Sequence, residues 1–309
     1  MAKTINTELE TSNTTYTPSI DTIEKVTDTH DEFIDYGLTT EEILDVNAIK
    51  VTISDPCPIV IFFGARTSGK TMTLVRLTRY LLSQGYKVEP DKVFRGANST
   101  TYQAMCEKFN DTITSDNAAS GTSVIGFMLV TVRDKNGRPI CQLLEAPGEH
   151  YFDAKNKTAQ FPRYINEILA MKNRRTWVFI VERNWKESSI RNAYANKIIS
   201  MQNIIPASDK VIFTCHKADL STGLFNNGRP NIRQFRNDIK NQYPGIFSRY
   251  TNNNPITSLW APYRFEFTVF SAGSFNVLSS GGQSYTAGPD FYPANLWGKI
   301  KKAVSGSWF

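Results

Sequence analysis

The sequence predicts an α/β chain: a three-layer sandwich whose mostly parallel sheet carries one antiparallel edge strand. Three observations predict it. Compact runs of β-branched and aromatic residues, of the kind buried on both faces of a parallel sheet, alternate with segments of helical period. One such run, Ile59-Val60-Ile61-Phe62-Phe63, passes through a glycine-containing loop directly into a helix. Asn136-Gly137 stands between two apolar runs and marks a hairpin, hence the antiparallel pair.

In chain order, residues 1–37 are rich in Thr, Ser, Asn, Asp and Glu with few large apolar groups, and read as a flexible acidic arm. A domain over 38–309 follows, with insertions expected near 86–123, 221–262 and 274–291. A short helix is expected at Thr40 to Asp45, where a threonine precedes two glutamates. After the first strand, Met72, Leu74, Val75, Leu77, Leu81 and Leu82 recur at helical spacing until Gln84-Gly85 stops them. Residues 86–123 are less regular. Val124 to Val132 and Pro139 to Leu144 form the hairpin strands. Thr176 to Val181 and Lys210 to Thr214 are two further buried strands, separated by a helix over Ser188 to Gln202. A helix over Asn231 to Tyr243, a strand over Phe265 to Phe270 and a last helix over Pro293 to Val304 complete the pattern. Ser279 to Gly288 reads as a polar, glycine-rich loop.

Composition narrows the classes. Cys57, Cys106, Cys141 and Cys215 are scattered, without the paired spacing of a zinc site, which suits a reduced, cytoplasmic setting. No apolar run approaches the roughly 18 to 20 residues of a membrane span, and no secretory signal pattern opens the chain. The net charge of +6 is uneven. Residues 1–50 carry 11 acidic and 3 basic side chains, against 18 and 32 in the remainder. A basic body admits nucleic acid or a membrane surface as partners, but it also suits a polyphosphate, and no nucleic-acid recognition module accompanies the charge.

Chemistry concentrates in Gly64-Ala65-Arg66-Thr67-Ser68-Gly69-Lys70-Thr71, which fits G-x-x-x-x-G-K-[ST] and lies between a strand and a helix, as that motif requires. Its glycines let backbone N–H groups turn toward phosphate oxygens, and the helix start adds positive potential, with Met72 in its first turn. Lys70 reaches the β- and γ-phosphates, and the Thr71 hydroxyl is placed to ligate Mg²⁺. Arg66 is the unusual loop residue. Its guanidinium folds over the phosphates as a charge-stabilising finger supplied in cis, blocks entry of a partner's finger, or points into solvent.

Three downstream segments, each at a strand end and in a fixed order, make the chain resemble the Ras-like, TRAFAC-type P-loop GTPases, as a divergent member of bacterial type. Glu145-Ala146-Pro147-Gly148 is similar to the family's D-x-x-G, with Glu in the Asp place. The resemblance implies that Glu145 holds Mg²⁺ and that the Gly148 N–H senses the γ-phosphate. Glu149 and His150 fall where relatives position the attacking water. His216-Lys217-Ala218-Asp219 resembles N-K-x-D with His in the Asn place, which implies that Asp219 reads guanine N1 and N2 while the Lys217 stem covers the base. Ser271-Ala272-Gly273 resembles the segment whose backbone meets guanine O6. The Mg²⁺-binding switch threonine falls to Thr122, with Thr114 behind it.

The resemblance implies a guanine-nucleotide switch that binds GTP and GDP with Mg²⁺, hydrolyses GTP slowly and changes affinity for a protein effector or regulator. Two other readings stay open. One is an ATP-using P-loop ATPase or kinase in which the base-reading matches are coincidental. The other is a nucleotide-gated scaffold with little turnover, favoured by Glu145 and by the missing glutamine.

Overall fold

The computed structural model describes residues 37–96, 98–114, 125–156, 158–183, 185, 187–201, 203–277 and 283–306. They belong to one compact unit, Asp35–Phe309. The acidic arm, Thr122 and Val124 lie outside the described residues.

α1 (Thr40–Leu44) opens the described chain behind a capping box at Thr39: the Thr39 side chain accepts from the Glu42 N–H and the Glu42 carboxylate accepts from the Thr39 N–H. Such a cap is worth about 1 kcal/mol. β1 (Ile59–Phe63) then runs through the middle of the sheet with all five residues buried. Burial of each of its phenylalanines contributes roughly 2–3 kcal/mol. α2 (Lys70–Ser83) starts at Gly69, in the left-handed region at φ 89°.

The segment after α2 is more ordered than its sequence indicates. β2 (Lys87–Pro90) and α3 (Thr100–Thr114) occupy it. α3 buries Tyr102, Met105, Cys106, Phe109, Thr112 and Ile113, an apolar stripe diluted by threonine and so weak as a periodic signal. Thr114 ends that helix with its hydroxyl bonded to the Asn110 carbonyl.

β3 (Met128–Arg133) and β4 (Pro139–Glu145) form the expected hairpin, and Asp134 accepts from the Asn136 and Arg138 N–H groups across its turn. β5 (Arg175–Glu182), α6 (Ser188–Met201), β6 (Lys210–His216), α7 (Ile232–Gln242), β7 (Glu266–Val269) and α8 (Phe291–Ser305) follow close to their expected places. Two helices precede β5: the single turn α4 (Gly148–Tyr151) and α5 (Arg163–Ala170). The sheet order is β2-β3-β4-β1-β5-β6-β7. β4, β1, β5, β6 and β7 run parallel, and β3 is the antiparallel strand, with the short β2 paired outside it.

One expectation needs correcting. Within the segment read as a polar loop, β9 (Gln283–Ala287) pairs as an antiparallel ribbon with β8 (Gly273–Val277), which precedes it. Backbone pairing stabilises a ribbon whatever its side chains, so a polar, glycine-rich composition conceals it. Its base is clamped to α2, because the buried Arg76 donates to the Gly288 carbonyl at 2.7 Å and pairs with Asp290 at 2.5 Å. No helix among the described residues is long and apolar enough to cross a membrane.

Candidate nucleotide site

Strand register assembles the site. Phe62 of β1 pairs with Glu145 of β4, and Glu182 of β5 pairs with His216 of β6. The carboxyl ends of these strands therefore share one edge, and the loops leaving them meet there. Gly64–Gly69 forms the loop between β1 and α2, with Thr67 at φ 61° and Gly69 at φ 89°. These left-handed residues turn the loop around the start of a 14-residue helix, whose end supplies positive potential.

Lys70 is buried beneath the loop and donates from Nζ to the Gly64 and Ala65 carbonyls, each at 3.1 Å. Burial lowers its pKa, against the charges of Glu145 and Glu149. Thr71 donates its hydroxyl to Glu145 Oε1, so the two residues expected to hold Mg²⁺ are in contact. Burial pushes the Glu145 carboxyl up to about 7, opposed by Lys70 and by the Thr71 hydrogen bond. Its second oxygen, Oε2, is buried with no hydrogen-bond partner among the described residues. A hydroxyl and one carboxylate with an unsatisfied oxygen fit a divalent cation that takes its remaining ligands from phosphates and water. No group of three His, Cys, Asp or Glu that would hold a metal on protein ligands alone occurs among the described residues.

Gly148 lies directly on the loop: a β-carbon there would stand 2.3 Å from the Arg66 nitrogen and 2.7 Å from its Cα. Of the next two residues, Glu149 directs a buried, unpartnered Oε2 inward and its charge acts on Lys70. His150 turns its ring toward Tyr164, whose hydroxyl is 2.8 Å from Nδ1, and packs edge-on against Phe127. Arg66 and Thr67 are exposed, whereas Ser68 is buried with its hydroxyl unpartnered and Met72 is half-buried.

His216 packs its ring against Gly69, where a β-carbon would lie 2.5–2.9 Å from three ring atoms, and stacks on Phe270 with centroids 5.5 Å apart. Neither ring nitrogen has a hydrogen-bond partner among the described residues. Burial pushes its pKa down to about 3, and that of His150 to about 4. Both rings are thus neutral in the fold and protonate at higher pH once unfolded. The stability this confers is complete above the unfolded pKa of 6.5 and is lost as pH falls toward 4 and then 3. Between pH 6.5 and pH 5 the loss is expected to be about 2 kcal/mol per histidine. Denaturant unfolding at several pH values checks this: His216→Asn and His150→Asn should each flatten the acid limb.

Lys217 adopts φ 54° and its amine pairs with Glu182 at 2.8 Å. Asp219 is exposed on the 3₁₀ turn that follows, and after burial its charge is the next cause raising the Tyr292 phenol. Ser271 and Ala272 are buried at the end of β7. The Ala272 carbonyl accepts from the Gly288 N–H and from the Tyr285 hydroxyl, which leaves its N–H as the group this loop can present. Gly273, at φ 131°, begins the ribbon.

Sequence reasoning missed Glu182, Trp185, Arg76 and Tyr285. The first two line a cleft of about 280 Å³ with Ala65, Arg66, Thr67, Ser68 and Lys217. A carboxylate ending a buried strand was a usable signal for Glu182. Arg76 and Tyr285 carry none, since their partners are 212 and 13 residues away.

The sheet order, the phosphate-type loop between β1 and α2 and the helices around the sheet make this an α/β P-loop sandwich. No family model matches the chain, and no curated protein resembles it significantly in sequence. Among solved structures it is similar to the Saccharomyces cerevisiae Ski7 GTPase-like domain bound to GDP and inorganic phosphate, at 16% identity and TM-score 0.40, over 80% of this chain and 51% of that one. It is similar to Methanosarcina barkeri Roco2 RocCORdC bound to GDP at 13% identity and TM-score 0.34, over 83% of this chain and 51% of that one. A third is the Chaetomium thermophilum signal recognition particle receptor SRb-GTP/SRX complex, at 14% identity and TM-score 0.38, over 81% and 99% of the two chains. The chain spans about half the length of the first two. Scores this low carry no argument about function, which rests on the site itself.

Proposed function

We propose that the protein is a guanine-nucleotide-binding switch that uses Mg²⁺ and hydrolyses GTP slowly to GDP and phosphate. The observation that carries this is the meeting, at one edge of the sheet, of Gly64–Thr71, Glu145–His150, His216–Asp219 and Ser271–Gly273. Backbone N–H groups of the loop and Lys70 would hold the phosphates. Thr71 and Glu145 would hold Mg²⁺, with Thr122 as the switch threonine of the triphosphate state. When bound, Mg²⁺ would supply positive charge that neutralises the phosphates. Asp219 would accept from guanine N1 and N2, Lys217 would cover the base, and the Ala272 N–H would meet O6.

Hydrolysis joins a water oxygen to the γ-phosphorus as the bond to the β–γ bridging oxygen breaks, leaving GDP and phosphate. Glu149, whose buried Oε2 has no partner among the described residues and whose charge acts on Lys70, would orient that water. His150, held by Tyr164, supports the turn it stands on. Arg66, exposed on the loop, has room to fold over the phosphates. Loss of the γ-phosphate would remove the acceptor that the Gly148 N–H meets, relax the segments near Thr122 and Gly148 and change affinity for a protein effector.

Calorimetric titration with GTP, GDP and ATP in the presence of Mg²⁺ tests the reading. GTP and GDP should bind, ATP should not, and Asp219→Ala should lower the preference for guanine by about 100-fold. Equal binding of ATP would overturn the assignment of Asp219 and favour an ATP-using enzyme. The engagement of His150 by Tyr164 favours a second reading, a nucleotide-gated scaffold. A GTP turnover no faster in the wild type than in Glu149→Gln would select it.

A further inference from the structure

The turn between α7 and β7 presents three large apolar side chains to solvent. Ile256, Leu259 and Trp260 are 73%, 80% and 87% exposed. Their exposure belongs to a held conformation. Asn252 Nδ2 donates to Thr257 Oγ1 and the Ala261 carbonyl at 2.8 and 3.0 Å, and Asn254 Oδ1 accepts from the Ile256 and Thr257 N–H groups at 3.0 and 3.1 Å. Backbone bonds from Asn252 to Pro262 and from Arg264 to Tyr250 close its base.

The surroundings are neutral or basic. Residues 243–265 contain no aspartate or glutamate. Trp260 stands at the rim of a cleft of about 680 Å³ that also carries Lys210, Arg236, Arg264 and Lys302. The cleft has two carboxylates, both engaged: Asp209 by Arg175 and Trp177 at 2.9 and 3.0 Å, and Glu266 by Lys299 and Lys302 at 2.7 and 3.0 Å. Lys210 and Glu266 begin β6 and β7, so this surface lies at the opposite end of those strands from the nucleotide site.

We propose that this turn docks the protein onto an anionic phospholipid surface, with Ile256, Leu259 and Trp260 seated at the headgroup boundary and the cationic rim against the lipid phosphates. An indole with aliphatic neighbours favours that boundary, and each nearby cation adds attraction to anionic lipid. Charge complementarity with the lipid phosphates rests on Arg236 and Arg264, which line the cleft beside the three solvent-facing apolar side chains. A flat headgroup layer rests on the rim and receives the tip without entering. Single-stranded nucleic acid would stack on Trp260 but finds no stacking face on Ile256 or Leu259.

Vesicle co-sedimentation of the full chain tests the proposal, with phosphatidylcholine vesicles against vesicles of phosphatidylcholine and phosphatidylglycerol. Binding to the mixed vesicles alone is expected, weakening several-fold at high salt. The double variant Leu259→Ala/Trp260→Ala should lower it about tenfold with unchanged thermal unfolding, since both side chains are exposed. Arg236→Gln/Arg264→Gln should lower it and flatten the salt dependence. No vesicle binding, binding indifferent to the double variant, equal binding to both vesicle types, or the double variant instead abolishing self-association or binding to single-stranded RNA would each overturn the proposal.

Discussion

Replacing Gly148 with alanine is expected to destabilise the protein by about 3 kcal/mol and to erase its distinction between triphosphate and diphosphate. The β-carbon would meet Arg66 N at 2.3 Å, Ala65 C at 2.5 Å and Arg66 Cα at 2.7 Å. All three are backbone atoms of the phosphate loop, so no side chain can rotate aside. Either the loop or the turn at Pro147–Gly148 must retreat, which carries the Gly148 N–H away from the place where a γ-phosphate would meet it. Gly137→Ala is the matching control. Gly137 lies at φ 82° with nothing within 4 Å of an added β-carbon, so its cost is conformational, about 1 kcal/mol. Thermal unfolding of both variants, with GTP and GDP titrations of each, provides the measurement. Equal destabilisation by the two would show that the contact at Gly148 is not tight in solution.

Lys70→Met is expected to leave the stability of the nucleotide-free protein nearly unchanged while lowering affinity for GTP about 100-fold, or roughly 3 kcal/mol. Burial disfavours the ammonium, and methionine has a similar stem without that penalty. Against this, the Gly64 and Ala65 carbonyls lose their donor, and Glu145 loses the charge that holds its carboxyl down. These contributions oppose one another in the protein alone. In the complex no offset exists, because polyphosphate charge then meets no ammonium. Unfolding in denaturant gives the first quantity and calorimetry the second. A variant that binds GTP as well as the wild type would remove Lys70 from the phosphate site.

The phosphate loop was legible because backbone geometry dictates its residue types. Left-handed turns, close approach and a helix start leave few choices at Gly64, Gly69, Lys70 and Thr71. The strands around it were legible because burial on both faces demands uninterrupted apolar runs. α3 and the β8–β9 ribbon were not, for their apolar content is diluted and their stability comes from backbone pairing and packing on α2. The apolar turn at Ile256–Trp260 gave no sequence signal, because whether an isolated tryptophan is buried depends on neighbours that local pattern does not specify.

The sequence by itself determined the layered α/β class, the position of the phosphate loop and the order of the segments that follow strand ends. These are local properties, set by side-chain period and by the φ values that glycine permits. The tertiary structure alone decided that Thr71 touches Glu145, that Glu149 buries an unpartnered oxygen while His150 turns to Tyr164, that His216 lies on Gly69, and that Arg76 clamps the ribbon. Each of these depends on strand register and on contacts between residues distant in the chain, which no local pattern encodes.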